Sequence, residues 1–217
     1  MKLIRVLVGI VALLVFLPSA HADGASVTMV FMGVNGANNG IDYVSPYYGT
    51  LNGQKVTLFC DDIINTVSSK QIWQANLTSV DSNNLSNTRY GNASISPVAA
   101  NASVLYKEAA WLTTKFASNT SDYISLQYAL WDLMNPGSEP TSYGDVQNWL
   151  KLAALNYTTI DPSGFQIVTN VGPVTLTGQV QEFIIHTPEP STVLLLVISL
   201  ALLSLSMLRR SSRTLQS

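Results

Sequence analysis

Two apolar segments, one at each end of the chain, limit what this sequence can fold into. Near the start, residues 1–5 carry two positive charges and residues 6–17 are apolar. Ala20 and Ala22 then occupy the two positions that a signal peptidase reads. Residues 1–22 are therefore predicted to be a secretory signal peptide cut after Ala22. An uncleaved anchor is disfavoured because the apolar run is short for a membrane span.

The second apolar segment, residues 191–208, is predicted to be a transmembrane helix. The sixteen residues of its apolar run, 193–208, would form a helix only about 24 Å long, whereas the hydrocarbon core of a bilayer is about 30 Å thick. To cross the membrane, the helix must include the residues just before this run, or the bilayer must become thinner around it. The basic residues that follow, Arg209, Arg210 and Arg213, should stay cytoplasmic. Residues 23–187 would then lie on the far side of the membrane.

This C-terminal pattern, over residues 188–213, is similar to a known sorting signal. Pro188, Glu189 and Pro190 precede the short span, and the arginine cluster of residues 209–213 follows it. In this order the three parts resemble the PEP-CTERM tail of Gram-negative envelope proteins. The resemblance implies recognition by an exosortase-type processing enzyme that cuts near the Pro-Glu-Pro. The protein would be anchored in the inner membrane before sorting and would then reach the cell surface or the extracellular matrix.

The exported part, residues 23–187, is long enough for one domain with a sizeable core. It carries six basic side chains against twelve acidic ones, so we expect no basic patch and no nucleic-acid partner. His21 leaves with the signal peptide and His186 stands beside the tail. Ser-His-Asp and Cys-His catalysis and most zinc sites are therefore not expected. We expect no metal, no cofactor and no turnover enzyme; a hydrolase with paired carboxylates is the least favoured class.

Strand patterns stand on both sides of a helical region. Residues 26–34, 55–60 and 71–80 are predicted strands, and residues 165–171 and 174–185 return to strand. Residues 81–94 are predicted to be a polar loop.

Three helices are predicted between the strands. Ser96 would cap the first helix and Ser121 the second, which should end at residues 135–137, Asn-Pro-Gly. Residues 141–142 would open the third. Strands, then helices, then strands predict an α+β fold, an antiparallel sheet or barrel-like core with a central three-helix insertion.

Two residues within this fold raise a chemical question. Cys60 is the only cysteine, which excludes an internal disulfide and leaves a free thiol, an intermolecular disulfide or another covalent use. It can also be a small buried apolar residue, at the apolar face of its strand. Gln127 shares a helical face with Leu130 and Trp131. A buried amide without partners costs about 1 to 3 kcal/mol, so Gln127 needs a partner.

Two motifs resemble the thioester domains of bacterial surface proteins, over roughly residues 55–149. Those domains carry an aromatic residue or leucine before a cysteine and an acidic residue soon after it, matched here by Phe59, Cys60, Asp61 and Asp62. Their second motif, hydrophobic-Gln-x-x-hydrophobic-Trp, is matched by residues 126–131. One departure is that Asp61 stands where the family usually has a hydrophobic residue.

The resemblance implies an internal thioester. The Cys60 thiolate would attack the side-chain carbonyl of Gln127, and ammonia would leave. The resulting thioester would persist until an amine of a partner molecule attacks its acyl group. Because this reaction consumes the thioester, the protein would be a single-use covalent binder. The walls of the dry pocket would come from Phe59, Asp61, Asp62, Trp111, Tyr128 and Trp131.

The alternative function is non-covalent. The protein would then be a structural or exopolysaccharide-associated surface protein, with Cys60 and Gln127 as ordinary core residues.

Overall fold

Six antiparallel strands close into a barrel because alternate residues of most strands are apolar and turn inward. In β1, for example, Val27, Met29 and Phe31 are buried while their neighbours are more exposed. The order around the barrel is β1-β2-β3-β6-β5-β4. The strands are β1 (Ser26–Val34), β2 (Tyr47–Leu51), β3 (Gln54–Cys60), β4 (Ile72–Ser79), β5 (Phe165–Asn170) and β6 (Phe183–His186).

This computed structural model describes residues 26–34, 38, 40–138 and 142–187. They belong to one compact unit, His21–Thr187. The predicted signal peptide, Pro-Glu-Pro motif, transmembrane helix and arginine cluster lie outside the described residues. None of the helices within the described residues combines the length and the apolar character that a membrane span requires.

Three helices are inserted between β4 and β5, as the sequence predicts: α1 (Ala102–Thr113), α2 (Tyr123–Met134) and α3 (Val146–Asn156). They pack against one another, and α2 also contacts β3 while α1 contacts β6. Helix α2 is buried on nearly every side because it lies between the other helices and the barrel. Its burial explains why its sequence is apolar almost all round.

The strand predictions are largely confirmed. β1 has the predicted bounds, and β3, β4 and β5 agree to within one residue at each end. β2 was missed because it is short and contains Gly49. A Cβ at Gly49 would lie 2.6 Å from the Met29 Cε and 2.8 Å from the Val30 carbonyl oxygen, so glycine is needed where β1 and β2 approach closely.

The predicted strand over residues 174–185 is wrong for most of its length, since only Phe183–His186 forms a strand. In the part of this segment before β6, side chains donate hydrogen bonds to the backbone carbonyls that a neighbouring strand would otherwise bind. Asn65 Nδ2 donates to the Leu176 carbonyl at 3.0 Å, and Arg89 donates to the Val180 carbonyl at 2.8 Å.

The predicted helix starts are also wrong. Ser96 accepts a hydrogen bond from the Val98 N–H within a turn at 3.3 Å, and α1 begins only at Ala102. Ser121 lies in a 3-10 turn that precedes α2, and α3 begins at Val146 rather than at residues 141–142. In each case a turn intervenes between the serine and the helix. The predicted end of α2 at Asn-Pro-Gly is confirmed.

His186 is part of the folded domain, which corrects the sequence-based expectation. It ends β6, and its ring packs on Phe59 and Phe165 with centroid distances of 5.3 and 4.7 Å. Its Nε2 lies 2.7 Å from the Thr113 hydroxyl. The ring therefore helps join α1 to the barrel.

Candidate thioester site

Cys60 stands at the end of β3, where it pairs with Phe183 of β6. Its side chain is completely buried, and three contacts orient the residue. The backbone N–H donates to the Ser45 hydroxyl at 2.9 Å, and the thiol donates to the Asp62 carbonyl at 3.3 Å. The Trp131 indole N–H points at the sulfur from 3.5 Å.

Gln127 reaches the same point from α2. It is completely buried, and its carboxamide nitrogen donates to the Cys60 carbonyl at 2.6 Å. Its carbonyl oxygen accepts a hydrogen bond from the Ser45 N–H at 2.9 Å. These are the partners that the sequence could not identify. The structure therefore brings the Gln127 carboxamide beside the residue that carries the thiol.

Ser45 connects the two halves of the site, since its hydroxyl binds the Cys60 N–H and its own N–H binds the Gln127 oxygen. Sequence reasoning missed this residue. It lies in a loop 82 positions from Gln127, and no motif in the sequence marks it.

The interior raises the pKa of the Cys60 thiol well above its usual range. Burial is the main cause, and the nearby Asp62 carboxylate adds to it. A neutral thiol is favoured because a thiolate would lose its hydration without gaining a cation. The proton of the thiol must therefore leave during any reaction in which the sulfur attacks.

The aromatic residues predicted to wall the pocket lie in different places. Trp131 contacts the sulfur, and Tyr128 stacks on Trp131 with a centroid distance of 6.1 Å. Trp111 instead packs against Trp149 of α3, within the helical layer. Phe59 points to the opposite face of β3 from Cys60 and packs on Phe116, with centroids 5.2 Å apart.

Asp62 forms a buried ion pair with Arg89, with 3.0 Å between the atoms and both side chains fully buried. It also accepts hydrogen bonds from the Asn65 amide and from the Glu182 N–H. Burial raises the pKa of Asp62, but Arg89 and these donors oppose that effect. These contacts engage the Asp62 carboxylate and hold the segment that follows β3 in place.

Asp61 is equally buried, yet none of the described residues donates a hydrogen bond to either of its carboxylate oxygens from another position in the chain. Burial raises the pKa of Asp61 well above its usual range, and the carboxylates of Glu182 and Asp62 raise it further. The neutral acid is therefore the favoured form of this side chain.

Sequence reasoning also missed Arg89 and Glu182. Arg89 comes from the predicted polar loop but is completely buried. Glu182 is buried as well, where it accepts hydrogen bonds from the Tyr106 hydroxyl at 2.6 Å and from the Arg89 N–H at 2.8 Å. Despite these acidic residues, no group of His, Cys, Asp and Glu in the described part of the chain has an arrangement suited to a metal ion.

A cavity of about 470 Å³ lies beside the site, and Trp131 forms part of its wall. Trp131 thus touches both the cavity and the sulfur of Cys60.

Comparison of the chain with models of protein families, with curated proteins and with solved structures gave no significant match.

Proposed function

We propose that the exported domain forms an internal thioester between Cys60 and Gln127 and uses it for covalent attachment to an amine-bearing partner. One observation carries this proposal. The Gln127 carboxamide is hydrogen-bonded to the backbone of Cys60 itself, at 2.6 Å, and both side chains are completely buried. Because the two residues are in contact and shielded from water, their thiol and carboxamide gain the proximity that an otherwise slow acyl transfer requires.

In the first step, the Cys60 sulfur bonds to the side-chain carbonyl carbon of Gln127. The bond from that carbon to the amide nitrogen breaks, and the thiol proton leaves with the nitrogen as ammonia. The Ser45 N–H, 2.9 Å from the Gln127 oxygen, polarises the carbonyl. It is also placed to stabilise the negative charge that develops on this oxygen.

In the second step, an amine on the partner attacks the same carbonyl carbon. The carbon–nitrogen bond forms, the carbon–sulfur bond breaks, and a proton of the amine passes to the Cys60 sulfur. The products are an amide that joins Gln127 to the partner and a free thiol. Because the thioester is consumed, each molecule reacts once.

Intact mass spectrometry of the protein as the cell processes it tests the proposal. Wild type should be lighter than its sequence requires by one ammonia, and this deficit should be absent in Cys60→Ala and in Gln127→Ala. The variants share the termini of the wild type, so the comparison does not depend on where the chain is cut. An unaltered mass with a titratable thiol in freshly purified wild type would refute the thioester.

The second candidate function is that of a non-covalent structural or exopolysaccharide-associated surface protein. It is favoured by the two hydrogen bonds of Gln127, which satisfy the side chain as an ordinary amide. This function predicts an unaltered mass and full tolerance of Cys60→Ser.

We also propose that the protein is exported and sorted through its Pro188-Glu189-Pro190 tail, with the following helix as a temporary membrane anchor. Support comes from the order of motif, apolar segment and arginine cluster in the sequence. On this proposal an exosortase-type enzyme is a partner, and the reactive domain is delivered to the cell surface or the extracellular matrix.

A further inference from the structure

Aromatic side chains from separate parts of the chain line the cavity beside Trp131. Phe31, Tyr47 and Trp131 are buried and contribute to its inner wall. Tyr43 also lines the cavity and is 57% exposed, so it stands at the mouth. The volume of about 470 Å³ falls within the range of small-molecule sites, about 300 to 1,000 Å³. The cavity is therefore large enough to hold a small ligand among aromatic rings.

Two of these rings meet at an angle. The centroids of Phe31 and Tyr47 are 5.8 Å apart, and their planes are inclined by 68°. The Tyr47 hydroxyl donates to the Tyr43 carbonyl at 2.6 Å, which ties the residue at the mouth to the inner wall. Rings that are inclined to one another can contact a single group from several sides, as in the aromatic cages that recognise quaternary ammonium ions.

The charge of the cavity is negative. Of the described residues that line it, Asp42 alone has a side chain that is charged at neutral pH, so none of them is a lysine or an arginine. Burial raises the pKa of Tyr47, and the charges of Cys60 and Asp42 raise it further. The Asp42 charge therefore acts on the inner wall as well as at the mouth. An anionic ligand is disfavoured there, and a cation is favoured.

We propose that this cavity binds a quaternary ammonium group, with Asp42 balancing its charge and the rings around it contacting its methyl groups. A primary ammonium ion is strongly hydrated, and its N–H groups would need acceptors in the cavity. A quaternary ammonium ion has no N–H and contacts aromatic rings through its methyl groups. The aromatic lining therefore suits the quaternary ion better.

This ligand is distinct from the amine of the proposed attachment reaction. A nitrogen bonded to four carbons has no lone pair, so it cannot attack an acyl carbon. The bound group is held by reversible contacts, and its binding does not require the thioester. The inference therefore goes beyond both candidate functions and adds a ligand site to the domain.

Choline and its uncharged carbon isostere test the proposal. The isostere is the alcohol in which a tert-butyl group replaces the trimethylammonium group, so the two probes share a shape and differ in charge. Ligand-observed NMR with the processed protein measures the dissociation constant of each. Wild type should bind choline about tenfold more tightly than the isostere. Equal affinities, or no binding of choline, would overturn the proposal without the need for any variant.

Asp42→Asn removes the charge and keeps the size of the side chain. The ratio of the choline affinity to the isostere affinity should fall by about twofold to fivefold, the range for a partly exposed ion pair. Asp145→Asn is the matched control because Asp145 is exposed and does not line the cavity. Its affinity ratio should equal that of wild type.

Tyr43→Leu keeps an apolar side chain at the mouth but removes the ring. The same affinity ratio should fall by about threefold, because the leucine cannot make a cation–π contact. Tyr48→Leu is the control, since Tyr48 is 42% exposed and is not part of the cavity lining. Unchanged ratios in both Asp42→Asn and Tyr43→Leu would overturn the proposed site even if wild type bound choline.

The same group occurs in free small molecules and in lipid headgroups, and competition separates these sources. Phosphatidylcholine vesicles that displace choline would assign a lipid headgroup. Choline binding that persists in their presence would assign a free small molecule. The intact mass of the protein is measured independently of these titrations. A protein that carries the ammonia deficit but does not bind choline would overturn the cavity proposal and leave the thioester standing.

Discussion

Asp61 and Asp62 are neighbours in the chain and both are buried, but the two carboxyl groups differ in their partners. Asp62 pairs with Arg89 at 3.0 Å and accepts several hydrogen bonds. Asp61 is equally buried, and the described residues offer its carboxylate oxygens no partner from elsewhere in the chain. A buried charge without a partner is far more costly than a buried neutral acid, so Asp61 should gain more than Asp62 from losing its charge.

Asp61→Asn should therefore change how stability depends on pH. The raised folded-state pKa of Asp61 means that the folded protein keeps a proton that the unfolded chain loses above about pH 4. Wild type then loses stability as pH rises through this window, by up to about 1.4 kcal/mol per pH unit until the folded-state pKa is passed. The variant lacks this loss. Its stability relative to wild type should rise with pH.

Urea unfolding across this pH range measures the effect, with both proteins in the Cys60→Ala background so that no thioester interferes. Asp145→Asn serves as the control because Asp145 is exposed. A stability difference between Asp61→Asn and its parent that stays constant from acid to neutral pH would show that the folded state does not hold the Asp61 proton.

The sequence could predict which residues of the site are buried, but not what they contact. The burial of Cys60 followed from strand alternation and that of Gln127 from helix periodicity, and both are correct. Ser45, Arg89 and Glu182 gave no such signal. Their hydrogen bonds span 82 and 93 positions, so closure of the barrel determines these contacts and local pattern does not.

At the scale of elements, α2 carries both the amide of the proposed thioester and the tryptophan beside the Cys60 sulfur. Gln127 and Trp131 are four residues apart and thus share a face, with the first at the Cys60 carbonyl and the second at the Cys60 sulfur. Helix α2 is held on β3 and between α1 and α3. A rigid helix fixes these two side chains relative to each other more closely than a loop could.

Trp131→Phe should make the proposed thioester less durable. The smaller ring removes the N–H that points at the sulfur and opens the wall toward the cavity, so water gains access to the bond. We expect hydrolysis to accelerate by about tenfold, equivalent to about 1.4 kcal/mol in the barrier. Mass spectrometry of aged samples would follow the loss of the thioester as addition of one water.

Trp149→Phe is the matched control for this experiment. Its indole N–H binds the Asp122 carboxylate, so the same atoms are lost from a hydrogen-bonded tryptophan that packs on Trp111 and not on the sulfur. Equal hydrolysis rates in Trp131→Phe and Trp149→Phe would exclude a specific shielding role for Trp131.

Element boundaries were less predictable than element types. The sequence indicated three helices in the right order, yet each begins later than its nearest candidate cap. Asp122 and Asp145 directly precede α2 and α3, and neither makes a side-chain capping hydrogen bond. The serines chosen from sequence lie in turns before the helices because packing of α1, α2 and α3 on one another decides where each begins.

At the scale of the whole molecule, the proposed sorting tail gives a prediction about location. Replacing Pro188, Glu189 and Pro190 by alanine should leave the chain in the membrane, because the proposed processing enzyme would no longer recognise it. Immunoblots of membrane and released fractions measure this. Replacement of Ser211 and Ser212 by alanine changes the same tail outside the motif and should have no effect. Undiminished release of the motif variant would refute sorting through this tail.

The overall architecture was predictable and its connectivity was not. Strands before and after a helical region indicated an α+β fold with a central insertion, which the structure confirms. The order of strands around the barrel depends on β6 pairing with both β3 and β5. β6 has only four residues, and its sequence is too short to indicate which two strands pair with it.

The position of β6 also has a consequence for when the site can be completed. β3, which carries Cys60, pairs on one side with β6, and the Glu182 N–H just before β6 binds the Asp62 carboxylate. Both contacts come from the last residues of the barrel, more than 120 positions after Cys60. The surroundings of Cys60 and Gln127 are therefore incomplete until the final strand has folded into the barrel. The proposed thioester could therefore form in its buried setting only after β6, the last strand of the barrel, has been synthesised and has paired with β3.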